Sequence, residues 1–213
     1  MYISYTYVDA TTGIPVTVEV AKHGPVNPAI PDLVFGFALE SQYPTEKPIF
    51  YGTCRDGVSG DTPGILKVLT EAEYQAARAT EINIQVTQAR AAKYDELKER
   101  RKLSEQTGVT FTSLGDTTFP QPISIPAEKD DQDRIGNALS GMERWPDISV
   151  INFKAANNTF ISINYDQLKK IGFAVAMLSQ AAFTNEGNHT AVISRLTTVD
   201  QIKAHDVNTG WPN

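Results

Sequence analysis

The stretch from Thr70 to Gln106 contains neither proline nor glycine, and this constrains the fold of the chain more than any other feature. Alanine, glutamate, glutamine, lysine and arginine dominate it, and these residues favour helix. Thr70 and Glu73 have the spacing of a capping box, which predicts the start of a helix. Gly108 then predicts its end, because glycine readily adopts the left-handed conformation that closes a helix. The sequence therefore predicts one helix about 50 Å long, more than a small domain needs.

The apolar residues of this helix follow three-four spacing only in the first half, at Ala79, Ile82, Val86 and Ala89. The next apolar pair falls out of that register, which excludes a long uniform coiled coil. Two alternatives remain: the helix self-associates through a short or interrupted seam, or it packs within its own chain. For self-association, the predicted contact residues are Ile82, Val86, Ala89, Tyr94 and Leu97.

Residues 1–69, before the helix, are predicted to form a small all-β module, either a β-sandwich or a curled sheet. Short segments with alternating apolar residues are separated by proline-, glycine- and aspartate-rich connections, a pattern typical of strands and turns. The predicted strands are Tyr2–Val8, Val16–Val20, Leu33–Leu39, Pro48–Thr53 and Ile65–Leu69.

Residues 108–213, after the helix, are predicted to form an α+β module. Two β-hairpins are expected, Val109–Ser113 with Thr117–Phe119 and Ile148–Lys154 with Thr159–Ile163. Between them, Asp130 or Asp131 is predicted to cap a short helix. Asn164 and Gln167 are predicted to open an amphipathic helix, followed by two short helices at 189–196 and 199–204. The apolar residues of the amphipathic helix are Leu168, Ile171, Phe173, Val175, Met177, Leu178 and Phe183.

Composition argues against several classes of function. The net charge of −6 disfavours a general nucleic-acid binder, which needs clustered cations. Cys54 is the only cysteine, so neither an internal disulfide nor a cysteine-based zinc site is possible, as expected in a reducing cytoplasm. The N-terminus lacks the pattern of a signal peptide, and no apolar run approaches the roughly 20 residues that cross a bilayer. We therefore expect neither nucleic acid nor a membrane among the partners.

No motif for catalysis, phosphate binding or a cofactor is present. The acidic cluster Asp130, Asp131 and Asp133 lacks the glycine turn and distal glutamate of a calcium loop, so helix capping is the favoured interpretation. Aromatic residues of the first strands fit either a binding surface or a small core, and the core is favoured. The sequence predicts a protein that is not an enzyme and that binds no cofactor or metal.

Several short segments in the last hundred residues carry a family resemblance. They are the arginine-rich helix end, 108–111, 133–135, 153–158, Leu168, 196–202 and 210–212. From about Arg101 to Pro212 the chain resembles an uncharacterised domain found at the C-terminus of many bacteriophage proteins encoded in tail-fibre regions.

The resemblance implies a structural component of the tail of a tailed phage, either a fibre protein or an adaptor between baseplate and fibre. It would be made in the host cytoplasm and reside in the virion tail. Its partners would be other tail, baseplate or fibre proteins, with a homotrimer favoured because fibres are usually trimers. A tail-fibre assembly chaperone that is absent from the mature virion is the alternative, and an enzyme or an unrelated binding module is a third class.

Overall fold

The computed structural model describes residues 1–6, 27, 29–38, 49–156 and 158–212, and its fold class is α+β. The chain divides into two compact units, Met1–Ala89 and Arg90–Asn213. No helix within the described ranges is both long enough and apolar enough to pass through a membrane.

The N-terminal unit contains a four-stranded antiparallel sheet. Its strands are β1 (Tyr2–Tyr5), β2 (Val34–Ala38), β3 (Phe50–Thr53) and β4 (Ile65–Leu69), in the order β2-β3-β1-β4. Four of the five predicted strands are thus present; Ile65–Leu69 has the predicted bounds, and the other three are shorter. The fifth, Val16–Val20, lies outside the described residues, as does the end of the first at Tyr7 and Val8.

The core of this unit is built on one face of the sheet. Ile3, Tyr5 and Phe50 are completely buried, and the Tyr5 and Phe50 rings lie 5.5 Å apart. Burial raises the pKa of the Tyr5 hydroxyl. Phe37 and Tyr51 stack 4.8 Å apart, while Phe35 on β2 stays 44% exposed. Tyr5 and Phe50 are thus core residues, as favoured from the sequence, whereas Tyr2, Phe37 and Tyr51 are only partly buried.

Helix α1 (Glu71–Thr107) confirms the predicted long helix. The Glu73 amide donates to Thr70 Oγ1 at 3.2 Å, and the Glu73 carboxylate accepts from the Thr70 amide at 2.8 Å, which completes the capping box. Lys67 and these Thr70 hydrogen bonds lower the pKa of Glu73 to about 2. The division of the chain into two units falls within α1, after Ala89, so each half of the helix belongs to a different unit.

The C-terminal unit contains two separate antiparallel hairpins. The first is formed by β5 (Val109–Leu114) and β6 (Thr117–Ile125), and the second by β7 (Val150–Lys154) and β8 (Phe160–Asn164). Its further helices are α2 (Lys129–Arg144), α3 (Tyr165–Arg195) and α4 (Val199–Ala204).

Helix α3 forms the centre of the C-terminal core. Leu168, Ile171 and Val175 on α3 are at most 1% exposed, and Ile125 and Ile163 from the two hairpins are equally buried. Helix α2 packs against α3, where Gly172 leaves room for Ile135 and Leu139. The predicted Asn164–Gln167 capping box at the start of α3 is confirmed.

Three local predictions are wrong. Residues 189–195 continue α3 rather than forming a separate helix. Strand β6 runs on through Pro120 and Pro122, because in a two-stranded sheet one edge of each strand needs no donor. The N-cap of α2 is Glu128, without a side-chain cap, and neither Asp130 nor Asp131 caps the helix.

Candidate interaction surfaces

The residues predicted to form a self-association seam on α1 differ in exposure. Ile82 is 47% exposed, whereas Val86 and Leu97 are only 6% and 1% exposed. Ala89 and Tyr94 are half-buried. Val86 and Leu97 are therefore already buried in the single chain, and Ile82 is the predicted seam residue with the largest exposed surface for contact with a second copy.

Ile82→Asp tests the seam without disturbing the buried positions. If α1 self-associates there, a buried charge should dissociate the oligomer, because an unpaired charge in a desolvated contact is costly. Light scattering after size-exclusion chromatography measures the mass. Asn83→Asp is the matched control, since it adds the same charge one residue away at an exposed position. A monomeric wild type, or an unchanged mass for Ile82→Asp, would contradict the seam.

Helix α3 presents a second apolar surface. Phe173 is 71% exposed and Met177 is 54% exposed, although both belong to the apolar residues of this amphipathic helix. At about 100° per residue, Phe173 lies roughly 140° around the helix from Leu168, so both cannot face the same core. Phe183 is 51% exposed, and the Arg101 guanidinium covers its ring at 4.4 Å.

Two shallow cavities lie along this outer face of α3. One, of about 580 Å³, is bordered by Asp166, Lys169, Lys170 and Phe173. The other, of about 380 Å³, begins at Met177 and extends past Ala181 and Thr184 to Gly210 of the C-terminal segment. Both are open depressions of the kind that receive a side chain of a partner.

The N-terminal unit has a groove of about 630 Å³ between β2 and α1. The strand contributes Phe35–Ala38, and the helix contributes Glu81, Gln85 and Gln88. Gln85 Nε2 donates to Glu81 Oε1 at 2.8 Å, and Glu81 is almost completely buried. Strand β2 is at the edge of the sheet formed by the described strands.

The comparisons with known proteins identify the C-terminal region. A family model described as a domain of unknown function, DUF4376, matches residues 88–208, more than half of the chain. The chain belongs to this family. The match begins two residues before the C-terminal unit, so the DUF4376 region and this unit largely coincide. Searches of curated proteins and of solved structures gave no match.

The DUF4376 region contains a buried ionic cluster that joins α1 to α3. Arg101 Nη1 donates to Glu105 Oε2 at 2.6 Å, and Arg101 Nε lies 2.9 Å from Glu186 Oε2 without the alignment of a hydrogen bond. Ser179 Oγ donates to Glu105 Oε1 at 3.3 Å and accepts from Gln132 Nε2 at 3.2 Å. These contacts hold α1, α2 and α3 together, and the sequence analysis did not identify them.

A histidine pair, also missed by sequence reasoning, attaches the C-terminal segment to α3. His189 Nε2 lies 3.0 Å from the Thr209 carbonyl oxygen and must donate to it, so its Nδ1 accepts from His205 Nε2 at 2.9 Å. The Trp211 ring stacks on His189, and Trp211 is 8% exposed. The 16-residue separation of the two histidines gives no local signal of this contact.

Acidification is expected to loosen this attachment. Burial, His189 and Lys93 lower the pKa of His205 below its ordinary 6.5, and Asp206 and Glu96 oppose that shift only partly. The unfolded chain therefore binds the proton more strongly than the folded chain. The contribution of His205 to the free energy of unfolding is fully present above pH 6.5 and is lost as the pH falls through the lowered pKa.

The urea midpoint of Trp fluorescence, measured between pH 8 and 5, tests this expectation. The midpoint should fall with pH in the wild type, and less in His205→Gln, which keeps a polar side chain but does not titrate. Equal pH profiles for the two proteins would contradict a role for this residue.

The other groups considered from the sequence have local partners. Asp131 is buried and pairs with Arg134, while Asp133 accepts from Lys129 at 2.7 Å. Burial raises the pKa of the Cys54 thiol, which disfavours the reactive thiolate. Within the described part of the chain, no three histidine, cysteine, aspartate or glutamate side chains are grouped to hold a metal ion.

Proposed function

We propose that the protein is a non-catalytic structural component of a phage tail, an adaptor or fibre protein whose two units bind different tail proteins. The observation that carries this proposal is that each unit has a hydrophobic core of its own. The N-terminal core is built from residues such as Ile3 and Phe50, and the C-terminal core from residues such as Leu168 and Ile171. Two independently packed units suit a protein that must hold two neighbours.

The exposed features of the two units are better suited to binding a partner protein than to catalysing a reaction. The N-terminal unit offers a groove beside β2, the outermost of the described strands, and such a position suits the addition of an extended peptide. The C-terminal unit offers the apolar outer face of α3. The side chains of the ionic cluster and of the histidine pair make ion pairs and hydrogen bonds with other residues of the C-terminal unit.

The assignment to a phage tail rests on the resemblance of residues 101–212 to domains encoded in tail-fibre regions. Membership of the DUF4376 family is compatible with it, and the description of that family names no activity. The proposed partners are other tail, baseplate or fibre proteins.

Quantitative mass spectrometry of purified virions of the encoding phage tests this function. We expect the chain in mature particles, at a copy number that is a multiple of three or six relative to a known tail protein. Absence from virions, with abundance in infected lysate, would contradict a structural role and would favour a tail-fibre assembly chaperone instead.

A further inference from the structure

The β7–β8 hairpin of the C-terminal unit has an outer edge whose backbone groups can be identified. The Ala155 amide donates to the Thr159 carbonyl oxygen at 2.8 Å, so these two residues form a hydrogen-bonded pair of the antiparallel ladder. Hydrogen-bonded pairs alternate along such a ladder with pairs that are not hydrogen-bonded. From the register, the odd-numbered residues of β7 therefore bond to β8. The amide and carbonyl groups of Val150, Asn152 and Lys154 point away from it.

This outer edge of β7 has no partner among the residues that the structure describes. None of them forms a hydrogen bond with the amide or carbonyl groups of Val150, Asn152 or Lys154. The side chains of all three residues are exposed. Within the same described ranges, the Lys154 ammonium also has no ion-pair partner. The edge therefore offers a row of unused donors and acceptors with a free positive charge at one end.

Two neighbouring strands are protected against the addition of a further strand. The Asn164 amide points outward from β8, but it donates to the Gln167 side chain at 2.9 Å in the capping box of α3. On β6, Pro120 and Pro122 remove two backbone donors. Edge strands are commonly blocked by devices of this kind, which prevent unwanted pairing. Strand β7 contains no proline, and its outward groups remain available.

Apolar side chains lie beside the start of this edge. Trp145, Ile148 and Val150 are 56%, 43% and 53% exposed. The Ile148 amide donates to the Trp145 carbonyl oxygen at 3.0 Å, so both residues belong to the turn that leads into β7. The edge thus has an apolar end at Val150 and a cationic end at Lys154.

We propose that an extended segment of a neighbouring tail protein adds to β7 as a further strand, with a carboxylate opposite Lys154 and apolar side chains against Val150 and Trp145. The outward groups of β7 recur at every second residue, a spacing that an extended backbone matches and a helix does not. Opposite charges across a strand pair stabilise it. The identity of the partner as a tail protein rests on the proposed function, whereas strand addition rests on the edge itself.

A second copy of this chain fits the edge less well than a different protein. Two β7 strands aligned antiparallel over their full length pair Lys154 of each copy with Val150 of the other. Neither lysine then meets a carboxylate, and the apolar end of each strand faces a charge. The edge therefore favours a segment whose apolar and acidic residues complement it.

Zero-length carbodiimide coupling of purified virions tests this contact, because it joins a lysine amine to a carboxylate that touches it. Lys154 should couple to one tail protein. Asn152→Pro removes an outward donor and should reduce the coupling at least about tenfold. Ser162→Pro is the matched control and should couple like the wild type. Ser162 lies opposite Asn152 and its amide also points out of the ladder, and either substitution removes the hydrogen bond between the two side chains.

Lys154→Glu tests the charge without altering the backbone. Lys154 is exposed, so the variant should keep the circular dichroism spectrum of the wild type. It should bind the tail protein identified by coupling at least about tenfold more weakly, and exchanging the coupled carboxylate of that protein for lysine should restore binding.

Three results would overturn the strand addition: unreduced coupling in a folded Asn152→Pro variant, unchanged binding by Lys154→Glu, or coupling of Lys154 to a second copy or to nothing. Absence of the chain from virions would contradict the proposed function alone. The same coupling in infected lysate then tests the edge, and Lys154 should couple there to a tail protein that is being assembled.

Discussion

Replacement of Arg101 by alanine should destabilise the C-terminal unit by about 3 kcal/mol or more. The substitution leaves the Glu105 carboxylate, whose side chain is 9% exposed, without its cation. It also removes the ion pair to Glu186 and the guanidinium that covers the Phe183 ring. A buried charge that loses its partner costs far more than a surface pair contributes.

Urea unfolding followed by Trp fluorescence measures this change, because both tryptophans, Trp145 and Trp211, belong to the C-terminal unit. Lys98→Ala is the matched control on the same helix. Its partner Asp95 lies 3.3 Å away, and both side chains are more than half exposed, so the expected change is below about 1 kcal/mol. Equal unfolding midpoints for Arg101→Ala and the wild type would show that the cluster contributes nothing.

Gly108→Ala should cost about 3 kcal/mol, because two effects add at this position. Gly108 has φ of +68°, a left-handed conformation that costs a residue with a side chain roughly 1–2 kcal/mol. An alanine Cβ would also overlap the Ile125 carbonyl group and lie 2.6 Å from Pro126 Cα, so the backbone of the first hairpin must shift.

Gly115→Ala separates the two effects within the same unit. Gly115 has φ of +63°, and its nearest neighbour would be the flexible Lys170 Nζ at 3.9 Å. This control should therefore show only the free-energy cost of the left-handed conformation. The difference between the two variants then measures the cost of the steric overlap at the end of α1. If the two variants lose equal stability in urea, the close approach of Gly108 to Ile125 is not a constraint.

Local signals made α1 predictable from the sequence. Thr70 and Glu73 form the expected capping box, Gly108 takes the expected left-handed conformation, and no proline or glycine interrupts the residues between them. The strands β1–β4 were predictable for a similar reason, since short segments of alternating apolar residues between turn-rich connections are typical of strands. Both cases depend on interactions within a few residues.

Long-range contacts decided the features that the sequence did not predict. The segment 185–188, Asn-Glu-Gly-Asn, has weak helix propensity and suggested a break before His189. In the structure, α3 continues through it, and Asn185 donates to the Thr209 carbonyl while Glu186 pairs with Arg101. Contacts of this kind between distant segments outweigh propensity, and a single sequence does not reveal them.

The candidate surfaces were predictable only in part. Three-four spacing selected Ile82, which is exposed, together with Val86, which is buried, and the out-of-register Leu97 is buried as well. The apolar residues of α3 likewise divide between two faces, because Leu168, Ile171 and Val175 pack inward whereas Phe173 and Met177 are exposed. Hydrophobicity alone does not distinguish a core residue from a contact residue.

Cross-linking mass spectrometry of intact virions tests most directly whether the two units hold different tail proteins. The side chain of Lys67 reports on the N-terminal unit, and those of Lys129 and Lys169 report on the C-terminal unit; all three are at least half exposed. We predict that Lys67 cross-links to one tail protein and that Lys129 and Lys169 cross-link to another. Cross-links from both units to a single protein, or to none, would contradict the adaptor function.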